Sequence, residues 1–86
     1  MPSDSIRATV KDYILKEFLP GERPEALQDS TPLISGGILD SISTLKLVSF
    51  LEQHFTVEFQ AHEVNADTLD TIADIERAVS SKVSGR

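Results

Sequence analysis

The sequence predicts an all-α protein: a small four-helix bundle of three longer helices and one short helix, with a long first loop. Three observations carry that prediction. Apolar residues recur at helical spacing around residues 6–18, 47–55 and 72–83. No strand-rich region, internal repeat or low-complexity segment competes with these stretches. Between the first two, Pro20, Gly21, Pro24, Pro32, Gly36 and Gly37 interrupt any sustained period, as in a connection.

Helix one is expected over about residues 5–19. Ile6, Val10, Tyr13, Ile14 and Phe18 form its stripe, and Arg7, Lys11, Asp12 and Lys16 lie off it. Ser3, Asp4 or Ser5 can cap its start, and Pro20-Gly21 ends it. The connection over residues 20–40 is long for so small a chain, which points to a packed loop with a function. Leu27, Leu33, Ile34, Ile38 and Leu39 are available to pin it, and Thr31-Pro32 suits a short turn.

Helix two is expected over about residues 41–55. At about 100° per residue, Leu47, Val48, Leu51 and Phe55 fall on one side, the expected core face. Lys46, Ser49 and Gln53 fall opposite with Ile42. Leu45 and Phe50 flank that outer face and fit either a core or a surface role. Thr56-Val57-Glu58-Phe59 reads as a short extended link, with Val57 and Phe59 alternating. A brief helical turn over about residues 61–65 would point Val64 inward. The last helix, about residues 70–83, carries Ile72, Ile75, Val79 and Val83 on one stripe, with Leu69 packing at its start. Asp67, Thr68 and Asp70 are its candidate caps. Ser84-Gly85-Arg86 should fray.

Composition narrows the function. Eighty-six residues make one domain, residues 1–86, with a thin core and modest stability. A net charge of −6 argues against nucleic acid, whose binding needs lysines and arginines on phosphates. The acidity sits late in the chain: Glu58, Glu63, Asp67, Asp70, Asp74 and Glu76 run without a lysine or arginine among them. Helix two holds only Lys46 against Glu52. With no cysteine there is no disulfide, thiolate metal site or cysteine nucleophile, so any thiol chemistry must come from an added group. No apolar run reaches the ~20 residues of a membrane span, and Met1-Pro2-Ser3-Asp4-Ser5 lacks the pattern of a signal peptide. A cytoplasmic monomer is expected.

No self-contained active site is visible, and an enzyme is not expected. His54 lies at the far end of the helix that Ser41 opens, out of reach as its base. His62 and Glu63 are adjacent and share no helix face, and neither histidine has metal-ligand spacing. Gly36-Gly37 is not followed by the lysine of a phosphate loop. There remains Ser35-Gly36-Gly37-Ile38-Leu39-Asp40-Ser41-Ile42, in which an Asp-Ser pair follows a glycine turn and opens a helix. Either Asp40 or Ser41 fits a helix cap. A hydroxyl at a helix start is also accessible, and it lies at the end of the dipole that favours an attached phosphate. Asp40 could then help hold a divalent cation brought with a phosphate donor.

Gly36-Gly37-Ile38-Leu39-Asp40-Ser41-Ile42, followed by the run from Leu45 to Glu58, resembles the acyl carrier protein family. The family's Asp-Ser-Leu core corresponds to Asp40-Ser41-Ile42, and the end of its second helix to Phe55-Thr56-Val57-Glu58. Its final segment corresponds to the run from Asp67 to Ile75. The resemblance implies 4′-phosphopantetheine, transferred from coenzyme A to Ser41 by a separate phosphopantetheinyl transferase with magnesium. It assigns Asp40 an assisting role during attachment. It implies that acyl or aminoacyl groups ride on the arm as thioesters, loaded by a ligase and used by downstream biosynthetic enzymes. Ile42, Leu45, Lys46, Ser49, Phe50 and Gln53 would then face partners.

Family carriers of fatty-acid synthesis usually have an acidic second helix. Lys46, Gln53 and His54 stand at matching positions, and Phe50 is bulky where a small residue is common. The Gly-Ile-Leu-Asp-Ser run is also similar to that of stand-alone D-alanyl carriers. A free-standing carrier for a specialised pathway is therefore expected. The alternatives are a housekeeping fatty-acid carrier and a non-carrier interaction module in which Ser41 is only a cap.

Overall fold

Ile6, Val10 and Ile14, three or four residues apart, are all fully buried on one stripe of helix α1 (Ser3–Phe18). The computed structural model describes residues 3–84. The side chains of Ser3 and Asp4, two of the three expected caps, lie outside the described residues, as do Gly85 and Arg86, which were expected to fray. Helix α2 (Ser41–Phe55) has the expected bounds, and its expected face of Leu47, Val48, Leu51 and Phe55 is buried. Helices α3 (Ala66–Leu69) and α4 (Ile72–Ser84) complete the bundle. α4 buries Ile72, Ile75 and Val79 and packs most extensively against α1. Two 3-10 turns, Pro24–Ala26 and Ala61–Glu63, lie in the connections. Among the described residues there is no strand, and no helix is long and apolar enough to cross a membrane.

The long first loop is part of the core. Leu27, Leu33 and Leu39 are buried and Ile34 and Ile38 half-buried, as expected. The Asp29 carbonyl accepts from Ala73 N at 3.1 Å, and its carboxylate meets Arg7, which also reaches Glu76. The loop is thus tied to both α1 and α4.

Helix α2 ends on Thr56, which caps it at φ 54°, ψ 53° and donates its backbone N–H to the Glu52 carbonyl. A left-handed conformation is normally left to glycine, and a β-branched residue is strained there by roughly 1–3 kcal/mol. Thr56→Gly is therefore expected to stabilise the protein by about 1 kcal/mol, after the greater freedom of unfolded glycine is allowed for. Urea denaturation would measure it. A Glu52 carboxylate oxygen accepts from Phe59 N at 2.9 Å, which holds the buried Phe59 beneath the link.

The C-terminal third differs from expectation. Only Ala61–Glu63 of the expected turn over residues 61–65 is helical, and it is a 3-10 turn. The short α-helix forms later, at Ala66–Leu69. Asn65 is its N-cap, its side chain accepting from Thr68 N at 3.2 Å, and Asp67 and Thr68, expected as caps of the last helix, lie inside this short one. Glu63 turns back to Gln60 N and to Lys82, whose ammonium also lies 4.8 Å from the centre of the Phe59 ring. α4 begins two residues later than expected, with the Thr71 hydroxyl accepting from Asp74 N at 3.0 Å. Asp70, expected as a cap, is used elsewhere.

Candidate functional site

Asp40 precedes α2 in an extended conformation (φ −89°, ψ −172°), and its carboxylate accepts from Ser43 N at 2.7 Å. Its carbonyl accepts from Thr44 N at 2.9 Å and from the Thr44 hydroxyl at 2.7 Å, which satisfies that buried side chain. Asp40 is therefore the cap. Ser41 is the first residue of the helix and exposed. Among the described residues its hydroxyl has no hydrogen-bond partner. The two candidate caps thus divide: Asp40 has the structural task, and Ser41 is left outward at the positive end of the helix dipole.

The loop ahead of Ser41 is closely specified. A Cβ on Gly36 would collide with the backbone carbonyl of Pro32. Gly37 has φ +84° and donates its N–H to the Ile34 carbonyl at 3.2 Å. Leu39 N donates to the Leu33 carbonyl at 2.9 Å while its side chain enters the core. From between α3 and α4, Asp70 accepts from Ile34 N, Ser35 N and the Ser35 hydroxyl.

These contacts hold both carboxylates below the usual range. For Asp40 the main cause is the Ser43 amide, and for Asp70 it is the Ser35 hydroxyl, then the Ser35 amide. Both ionised forms are therefore favoured by folding. Their contribution is complete above the unfolded-state value, about 3.9, and is lost as pH falls through the lower folded values. The melting temperature is expected to hold from neutrality to about pH 5 and then fall. Asp70→Asn should melt below the parent at neutral pH and converge with it in acid.

Of the expected partner-facing residues, Ile42 and Leu45 are 67% and 59% exposed, and Lys46, Ser49 and Gln53 are exposed too. This settles Leu45 as a surface residue. Phe50 is half-buried, with its ring stacked on Tyr13 at 4.0 Å. Tyr13 thereby joins Ile42, Leu45, Lys46, Ser49, Phe50 and Gln53 around an open groove of about 490 Å³ in which Lys46 is the one charged residue. The helical spacing assigned Tyr13 to the core, because periodicity does not distinguish the edge of a stripe from its middle. His54 is exposed and stacks on Phe50 at 5.2 Å, and His62 is exposed. Among the described residues no group of three or more His, Asp or Glu is arranged to hold a metal ion.

Ser41 itself lines a second groove, about 460 Å³, with Ile34, Leu39, Asp40, Thr44, Leu45, Val64 and Asn65, and Leu45 borders both grooves. A free hydroxyl at a helix start, beside a mixed apolar and polar groove, fits a phosphate-linked arm. The family model for a phosphopantetheine attachment site matches residues 14–79. No curated protein matches the chain.

Proposed function

The chain belongs to the phosphopantetheine attachment site family, whose prosthetic group is a covalently attached 4′-phosphopantetheine, and we propose that Ser41 is the residue that carries it. The division of labour at the start of α2 is the observation that supports this: Asp40 caps the helix and the Ser41 hydroxyl is exposed and unengaged. In the attachment reaction Ser41 Oγ forms the new bond to the phosphate of the phosphopantetheine half of coenzyme A. The pyrophosphate bond breaks, adenosine bisphosphate leaves, and the serine proton passes to a base of the transferase. Helix α2 favours the resulting phosphodiester through its dipole. Asp40, ionised and exposed, is available to the magnesium that accompanies coenzyme A. Once attached, the arm supplies the thiol that this cysteine-free chain lacks, on which acyl or aminoacyl groups are held as thioesters.

The protein is, in this reading, a non-catalytic cytoplasmic carrier of a specialised biosynthetic pathway. It serves a transferase, a loading ligase and downstream enzymes by holding their substrate at high local concentration. Ile42, Leu45, Lys46, Ser49, Phe50 and Gln53 form the partner face, widened by Tyr13. Glu52, the one acid of α2, is drawn to Phe59 N. The groove offers partners apolar contact and a single cation, which suits a dedicated partner set better than charge-steered exchange. Lys46→Glu is expected to raise turnover by fatty-acid-synthase enzymes, and unchanged rates would mean that charge on α2 does not set partner choice.

Incubation with a broad-specificity phosphopantetheinyl transferase, coenzyme A and magnesium tests the carrier role. A mass gain of one phosphopantetheine is expected. A folded, initially unmodified protein that gains nothing would favour an interaction module built on Ile42, Leu45 and Phe50.

A further inference from the structure

We propose that Asp70 is a positioning residue for Ser41: it holds the loop ahead of α2 in the form that a phosphopantetheinyl transferase recognises. This inference rests on the reading of Ser41 as the attachment point. Asp70 Oδ1 accepts from Ile34 N at 2.9 Å and from Ser35 N at 2.8 Å, and Oδ2 accepts from the Ser35 hydroxyl at 2.7 Å. Its own carbonyl accepts from Leu33 N at 2.6 Å. One residue from the far end of the chain thus fixes three consecutive loop residues.

Asp70 takes the C-cap position of α3, but among the described residues its carboxylate makes no hydrogen bond within α3 or α4. The start of α4 is served by the Thr71 hydroxyl and that of α3 by Asn65. Beyond Ser35 the chain has little freedom before Ser41. Gly36 lies against the Pro32 carbonyl, Gly37 takes its positive φ, Leu39 is bonded back to Leu33, and Asp40 caps α2. The turn is rigid in itself, and Asp70 joins it to the bundle. Ile34, whose amide Asp70 holds, also lines the groove beside Ser41.

Releasing the clamp leaves the hydroxyl and the chemistry intact and lowers the fraction of molecules with the loop in place. A lowered competent fraction raises the apparent KM in inverse proportion and leaves kcat alone.

The test uses the full chain with coenzyme A, magnesium and a broad-specificity transferase. The variants are Asp70→Ala, Asp70→Asn and, as a stability control, Val79→Ala on the buried face of α4. Asp70→Ala is expected to raise KM for the carrier on the order of tenfold, with kcat within about twofold of the parent. Asp70→Asn keeps an oxygen for both amides and should recover most of the loss. If Asp70→Ala does not fold, Ser35→Ala, which removes only the hydroxyl that donates to Asp70 Oδ2, carries the test: a smaller rise in KM is expected, and an unchanged KM would overturn the role. Val79→Ala should leave KM at the parent value. Amide exchange at Ile34, Ser35, Gly37 and Leu39, read without transferase, should quicken in Asp70→Ala while Leu51 stays protected. An unchanged KM in Asp70→Ala, or an equal rise in Val79→Ala, would overturn the positioning role and leave Ser41 as the attachment point. An unmodified parent would overturn both.

Discussion

Ser41→Ala is expected to lose all capacity for phosphopantetheine attachment while its melting curve stays on that of the parent. Attachment needs the hydroxyl oxygen as nucleophile, and alanine supplies none. The fold does not need it, because the cap of α2 is the Asp40 carboxylate on Ser43 N, and the Ser41 hydroxyl has no partner among the described residues. Alanine is also a good helix former at the first helical position. Were Ser41 the cap, its loss would cost about 0.5–2 kcal/mol, and the variant would melt visibly earlier. Mass spectrometry and calorimetry on one sample therefore separate the two roles that a serine at a helix start can have. Ser41→Ala that melts well below the parent would put the cap on Ser41 and remove the observation on which the proposed function stands.

Leu33→Ala is expected to cost about 2–5 kcal/mol, as for a leucine in the middle of a core helix. Leu33 lies in a loop, yet its side chain is fully buried. Its N–H donates to the Asp70 carbonyl and its carbonyl accepts from Leu39 N. Alanine keeps both backbone bonds and leaves a cavity. A domain of this size has roughly 4–13 kcal/mol in all, so the substitution removes a large share. Ile42→Ala, on an exposed apolar residue, should fall within about 0.5 kcal/mol of the parent. Urea denaturation of both would show whether the loop is core. A loss below about 1 kcal/mol in Leu33→Ala would mean that the loop only spans the gap between α1 and α2.

How much of this was legible in the sequence depended on the range of each interaction. α2 was legible from end to end, because a 3.6-residue apolar period and a cap are local signals. The pinned loop was legible in outline, since five apolar residues in a polar connection need somewhere to go. The choice between Asp40 and Ser41 as cap was not, because both residue types cap and only the backbone conformation at Asp40 decides between them. The short helix was expected too early because Glu63 has better partners in Gln60 N and Lys82, and Asn65 starts a helical turn after it. Asp70 looked like a cap because it stands just before an apolar stripe. Its true partners at Ile34 and Ser35 are close only in the folded chain. Tyr13 and Phe50 were placed on separate helices by pattern, and only the crossing of those helices stacks their rings beside the groove that Ile42 and Leu45 line.

The most direct test of the central claim is peptide mapping of the protein after incubation with transferase, coenzyme A and magnesium. A phosphopantetheine confined to the peptide containing Ser41, and assigned to Ser41 on fragmentation, is the predicted result. An arm found on Ser35, Ser43 or Ser49, or on none of them in a folded protein, would contradict it.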